Sequence, residues 1–340
     1  MYKPIYTITP RLLNFITQAT ELKTWISQSI VDVAWISHLQ FETTSRLAHS
    51  STAIEGNPLS LSEVESVARG DEISGSERSK QEVQNYLVSL KWIWSQKAGD
   101  PITESDLLNL HYLITQKTLP DEKIGSYKTQ VNRVIDPAGH TIYLPPPPEK
   151  AQSLTKDLLN WAHSDDALIL HPIIVSAIIH HCLVSIHPFS DGNGRIARAL
   201  AIWILYSRGF DTHHLFALDE FFDQYRQTYY NTLQQARDLD DDLTYWIEYV
   251  AEGLVITLTK TKNRIFSLQI TSLPTQVTLT KKQEDSLRFL RDKGRIKSPA
   301  LEEAFNITRA RVGQLLKPLI DNGIVIREGL SRATTYRLGN

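Results

Sequence analysis

The sequence predicts a mainly α protein: a helical bundle carrying one β-hairpin, followed by a small winged helix-turn-helix domain. Three observations lead there. Apolar residues recur at helical spacing through most of residues 12–262. One stretch, 125–148, instead alternates and is rich in β-branched residues. The last 64 residues, 277–340, show three short helical patterns and then two strand patterns around a glycine-containing turn. A length of 340 residues suffices for two or three domains with real cores, and 41% apolar with 22% charged residues is an ordinary globular composition. The segments expected are an N-terminal helical region (1–98), a central helical domain (99–262), a linker (263–276) and the C-terminal module (277–340).

In chain order, helical periodicity runs from Leu12 to Leu47 with a break near Ser29. It ends in Ser51-Thr-Ala-Ile-Glu55-Gly56-Asn57-Pro58, where Gly56 and Pro58 are stop signals. Glu55 therefore sits near a helix C-terminus, where a carboxylate faces the negative end of the dipole. A cationic partner elsewhere would relieve that conflict; a solvated glutamate is the plainer alternative. Ser60-x-x-Glu63 is a capping box for a short helix. Gly70-x-x-x-x-Gly75 lacks the lysine of a phosphate loop, because Ser76 stands there, and is read as a plain loop. Helices are expected over 77–96 and from Thr103-x-x-Asp106 to 116. The hairpin then pairs 125–135 with 140–144 around the turn Asp136-Pro-Ala-Gly139, and Pro145 to Pro148 end it rigidly.

Helices resume over 149–163 and 172–186, the second with Pro172 at its first position. Its His180 and His181 lack a completing carboxylate and are read as packed core histidines, not metal ligands. The helix delivers His187, and Pro188 stops it. Asp191-Gly192-Asn193-Gly194 is a tight polar turn whose glycines permit close backbone approach. The next helix begins near Gly194, so its free N–H groups and positive dipole end face whatever lies over the turn. Arg195 and Arg198, spaced i, i+3, share its first turn. Two arginines, a helix N-terminus and one carboxylate suit a polyphosphate with a divalent metal, and His187 is the acid/base group beside them. The alternative is a polar helix–helix corner with solvated arginines. Further helices are expected over 219–237 and from 243 to 262.

His187-Pro-Phe-Ser-Asp-Gly-Asn-Gly-Arg-Ile-Ala-Arg198 resembles the Fic-family signature, His-Pro-Phe-x-Asp/Glu-Gly-Asn-Gly-Arg-x-x-Arg, at every fixed position. Ser51-x-x-x-Glu55-Gly56 resembles the inhibitory motif that some members carry N-terminal to the catalytic domain. The resemblance spans about residues 40–260 and implies a Fic-type bundle with a β-hairpin flap. It also implies protein adenylyltransferase activity: AMP moves from ATP, with Mg2+, to a Ser, Thr or Tyr hydroxyl of a target protein. His187 is then the base and Asp191 the Mg2+ ligand. Gly192, Asn193, Gly194, Arg195 and Arg198 hold the phosphates. Tyr229, of the Tyr229-Tyr230 pair, lies on the ribose and adenine side. Glu55, with Ser51, inhibits by pairing with Arg198 in the γ-phosphate position. Residues 125–148 are the flap on which the target docks. Where many members have an asparagine, this chain has Ala236 and Arg237. A homodimer is a further implied partner. Removal of AMP at the same site, and a DNA-binding regulator using the domain as a nucleotide sensor, are the alternatives.

The net charge of −2 is unevenly spread. Residues 277–340 hold 13 Lys and Arg against 7 Asp and Glu, a net +6, which leaves −8 for the rest. Arg309, Arg311 and Lys317 fall on the expected recognition helix and Arg332 in the wing. DNA is thus an expected partner of the tail, with a protein-contact module as the alternative. Pro318 is expected to kink or end its helix. The single cysteine, Cys182, excludes an internal disulfide framework and suits a reducing, cytoplasmic setting. No apolar run reaches the ~18 residues of a membrane span, so no membrane partner is expected.

Overall fold

In the computed structural model, the structure describes residues 2–29, 33–135, 139–271, 280–329 and 334–339. Its helices in order are α1 (Pro10–Gln28), α2 (Val33–Ile54), α3 (Leu61–Arg69), α4 (Glu77–Ser95), α5 (Glu104–Thr115), α6 (Pro148–Ala162), α7 (Asp165–Leu168), α8 (Pro172–Ile186), α9 (Asn193–Ser207), α10 (Leu218–Gln224), α11 (Arg226–Asp238) and α12 (Thr244–Thr271). The C-terminal module adds α13 (Lys281–Lys293), α14 (Ser298–Phe305) and α15 (Arg309–Asp321).

The antiparallel pair α8–α9 is the axis of the bundle. Every residue from Ile173 to Val184 is buried, as an all-round apolar helix must be. Its few polar groups find partners inside. Ser176 donates to the Ala201 carbonyl at 2.8 Å, His180 Nε2 meets the Tyr229 hydroxyl at 3.0 Å, and His181 Nε2 meets the Leu233 carbonyl at 3.1 Å. The two histidines are thus structural, and no cluster of metal-ligating side chains occurs among the described residues. α1 lies along α12, α2 along α10, and α4 along α5. Trp246 on α12 donates to the Ala177 carbonyl at 2.7 Å and closes an aromatic cluster with Phe222 and Tyr229.

Several element ends depart from the sequence expectation. The hairpin is short: β1 (Val134–Ile135) pairs antiparallel with β2 (Thr141–Tyr143), with an irregular register between Val134 and Ile135. Residues 125–133 are not strand, because the Lys128 N–H donates to the Pro188 carbonyl at 2.9 Å and draws this segment onto the motif loop. Of the turn at 136–139, only Gly139 lies among the described residues. The expected helix over 219–237 is broken at Tyr225 into α10 and α11. α12 continues to Thr271, past the expected end at 262, since Leu254, Leu258 and Ile265 extend its buried stripe. The linker call therefore falls on helix up to Thr271, and the remainder of it lies outside the described residues.

In the C-terminal module, β3 (Ile296–Lys297), β4 (Val325–Glu328) and β5 (Thr335–Leu338) form an antiparallel sheet in the order β3-β5-β4. It encloses its own core, with Leu287, Leu301, Val312, Leu316 and Leu319 all fully buried. Pro318 does not end α15, which runs on to Asp321; it sits in the last turn, flanked by buried Leu316 and Leu319. Arg332 lies outside the described residues.

The loop after α8 is itself built around a core residue. Phe189 is fully buried, stacked on His111 at 4.0 Å between ring centroids and on Tyr127 at 5.7 Å. The Asn193 amide clasps it by the backbone, accepting from the Phe189 N–H at 3.0 Å and donating to its carbonyl at 2.9 Å. Truncating Phe189 removes a ring that nothing else can replace. Phe189→Ala is expected to lower unfolding free energy by about 3–5 kcal/mol, measured by urea denaturation.

Candidate active site

His187 ends α8 in the left-handed region, φ 50° and ψ 57°, a costly conformation for a non-glycine residue. Its Nδ1 lies 3.1 Å from the Val184 carbonyl, so Nδ1 carries the proton and Nε2 is left as the acceptor. Burial pushes its pKa down to about 4, and Lys128 and Arg237 act in the same direction against the pull of Glu55. The imidazole is therefore a neutral base at pH 7.

α9 begins without a side-chain cap. Gly192, at φ 82°, is its N-cap, and a Cβ there would come within 3.1 Å of the Thr115 methyl. The Asn193 side-chain amide is taken up by the Phe189 backbone, through both its oxygen and its nitrogen. Asp191 keeps its carboxylate at the surface, with 47% of the side chain exposed; Oδ1 accepts from the Gly192 N–H at 2.6 Å. His111, whose pKa is pushed down to about 4 chiefly by burial, steadies this turn from below. Its Nδ1 accepts from the Gly125 N–H at 2.8 Å, and its Nε2 lies 3.3 Å from the Asp191 carbonyl.

The two arginines differ. Arg195 is buried yet loosely paired: Asp191 is 3.8 Å and Glu82 3.9 Å away, and its Nε and Nη1 have no hydrogen-bond partner. A buried guanidinium with idle donors is a ready anion site. Arg198 is closely paired. Its Nε donates to Ser51 Oγ at 2.8 Å, its Nη2 to the Ser51 carbonyl and to Glu55 Oε1, each at 2.8 Å, and its Nη1 reaches the Tyr229 hydroxyl at 3.5 Å. Burial is the largest influence and opposes its charge, but Glu55, Tyr229, Asp219 and Tyr86 together outweigh it and raise its pKa. Glu55 meets Arg198 through one nitrogen only. A Cβ at Gly194 would overlap Glu55 Oε1, so the carboxylate lies directly on the first turn of α9.

Tyr229, expected on the ribose and adenine side of a pocket, is 1% exposed and lies in the aromatic cluster, its hydroxyl 3.5 Å from Arg198 Nη1 and 3.0 Å from His180 Nε2. Its neighbour Tyr230 is the member of the pair that reaches solvent, 41% exposed, with its hydroxyl donating to the Ile54 carbonyl at 3.2 Å. Helical rotation decides this: adjacent residues lie about 100° apart, and Tyr229 shares the buried face with Leu233 and Ala236.

Sequence reasoning missed Glu82, Lys128 and Asn132. Glu82 accepts from Asn57 at 3.0 Å and from Arg78 at 3.2 Å beside Arg195. Lys128 is 4% exposed and donates to Asn132 Oδ1 at 2.8 Å; burial brings its pKa down to about 8. Asn132 in turn donates to the Phe189 carbonyl at 3.0 Å. No motif announces these residues, since each acts through a contact distant in sequence.

Residues 101–205 match the Fic/DOC family. Among curated relatives, a protein adenylyltransferase Fic of Nematostella vectensis is 32% identical over 215 residues, 60% of this chain and 45% of that protein. A protein adenylyltransferase fic-1 of Caenorhabditis elegans is 31% identical over 232 residues, 64% of this chain and 42% of that protein. The chain thus spans less than half the length of these relatives. A crystal structure of a Fic family protein from Desulfovibrio desulfuricans G20 covers 100% of this chain and 99% of its own, with a TM-score of 0.69 and 24% identity. Caenorhabditis elegans Fic-1 (residues 134–508) aligns over 76% of this chain and 73% of its own, with a TM-score of 0.64 and 26% identity.

The depressed basicity of His187 has a sign that can be checked. A histidine whose folded pKa lies below its unfolded value, near 6.5, favours the folded state fully above that value and loses the contribution as pH falls towards 4. In an NMR titration, the His187 ring should stay neutral from pH 8 to about pH 5. Titration near 6.5 would mean that the ring is solvated.

Proposed function

The chain carries a Fic domain, and on that premise we propose that it is a protein adenylyltransferase held in check by Glu55. It would move AMP from ATP to a Ser, Thr or Tyr hydroxyl of a target protein. The observation that carries this is the Glu55 carboxylate lying on the N-terminal turn of α9 in the grip of Arg198, where a terminal phosphate would otherwise be bound.

In the transfer, the target hydroxyl oxygen bonds to the α-phosphorus, and the bond from that phosphorus to pyrophosphate breaks. The hydroxyl proton goes to His187 Nε2, which the Nδ1–Val184 contact leaves free to take it. The α9 N–H groups and Arg195 meet the negative charge that gathers on the leaving pyrophosphate. Asp191, an exposed carboxylate beside the turn, suits an Mg2+ carried in on the phosphates, which keeps most of its ligands as phosphate and water oxygens. That ion, when bound, supplies further positive charge across the phosphates. Arg198 joins the cradle only when Glu55 withdraws. The Glu55 side chain is 34% exposed at the end of α2, so it can swing out without opening the core.

The flap suits a target presented as an extended segment. Val131 and Ile135 are 61% and 59% exposed, Ile142 is 43% exposed, and the hairpin has no third strand among the described residues. The C-terminal module suits DNA through α15, where Arg311 and Lys317 are exposed.

Two measurements test these readings. With α-labelled ATP, Glu55→Gly should raise AMP transfer, including self-labelling seen by mass spectrometry, by about tenfold or more, the scale of one released charge contact. Adding His187→Ala should abolish transfer while leaving ATP bound; unchanged labelling would remove His187 from the base role. For DNA, gel shifts of the full chain should weaken sharply between low and moderate salt. A shift indifferent to salt, or none, would leave the module a protein contact.

A further inference from the structure

A cavity of about 500 Å3 lies between α2, α4 and α13, away from the nucleotide cradle. None of the residues described around His187 and Arg198 lines it. Its size falls within the roughly 300–1,000 Å3 range of small-molecule sites. One wall is apolar, made by Phe41, Ala68, Leu87 and Val88, and is completed by the indole of Trp94. That indole is fixed in orientation by the His214 ring stacked on it, 4.7 Å between centroids and 12° from parallel.

The polar lining is one-sided. It includes Lys91 and Arg291 and no carboxylate. Arg291 is held over the cavity by its Nη1–Gln40 Oε1 bond at 2.9 Å. Lys91 is exposed, with no carboxylate in ion-pair reach among the described residues.

We propose that this cavity is a second ligand site, separate from the nucleotide cradle, for a planar aromatic molecule bearing an anionic group. The ring would lie against the Trp94 and Leu87 wall and the anion towards Lys91 and Arg291. The site has a lever on the catalytic end of the molecule, because α2 supplies Gln40, Thr44 and Ser45 here and Ser51 at Arg198.

The test uses the full chain and two fluorescent probes of one ring system. These are 1-anilinonaphthalene-8-sulfonate and its neutral analogue N-phenyl-1-naphthylamine. The expected result is one saturable site for the sulfonate, with the neutral probe about tenfold weaker. Lys91→Glu, a change at an exposed position, should weaken the sulfonate by about tenfold or more while circular dichroism stays unchanged. Arg195→Ala, which damages the nucleotide cradle, should leave sulfonate binding as it was. Non-saturable binding, equal affinity for both probes, or indifference to Lys91→Glu would overturn the proposal. Loss of binding in Arg195→Ala would place the probe in the nucleotide cradle and overturn it equally. If ATP chemistry failed while the sulfonate bound as expected, only the adenylyltransferase reading would fall.

Discussion

The structure depends on one buried positive charge. Arg198 is 1% exposed at the heart of the bundle, and a guanidinium so placed demands anionic and hydrogen-bonding partners. Ser51 satisfies two of its donors, Tyr229 caps a third, and Asp219, itself held by the Tyr86 hydroxyl at 2.8 Å, contributes charge from below. Glu55 supplies the remaining contact from the half-exposed side. The first three partners are buried in the core, and Glu55 is the partner that reaches solvent.

Around that charge, the molecule separates rigid from adjustable parts. His187, Phe189 and Asn193 are locked by the α8 end, the His111 and Tyr127 rings and the clasp on the Phe189 backbone. The His187 ring and the N-terminal turn of α9 are therefore held in place before any ligand arrives. The flap and Glu55 sit at surfaces with few internal bonds. Arg237 ties the two regimes together. It stacks on Tyr143 of the flap at 4.0 Å and donates to Ser185, two residues before His187, at 3.1 Å.

Much of this was legible in the chain. Capping boxes at Ser60 and Thr103, proline at the start of α8 and the all-apolar run to Val184 place helices because those signals act over three or four residues. The Gly192-Asn193-Gly194 turn with its two arginines likewise announces an anion site, since the backbone geometry follows from local residue types. What failed to read out was rotational or remote. Tyr229 against Tyr230 is a question of which helix face meets Trp246, and α12 continues because Ile265 finds a core to enter. The flap strands are shorter than their alternation suggests because Lys128 is bound to the Pro188 carbonyl, a contact across the fold.

The sequence by itself determined the helices, the glycine turn, the acid/base residue and the pair of arginines, all set by interactions within one or two turns of chain. Only the tertiary structure decided that Arg198 is closely paired and Arg195 is not, that His187 is neutral, and that Glu55 lies on α9. Those outcomes depend on burial and on partners far away in the chain, such as Ser51 to Arg198 and Lys128 to His187. Desolvation and long-range pairing have no local signature, and they set whether a legible site is open or closed.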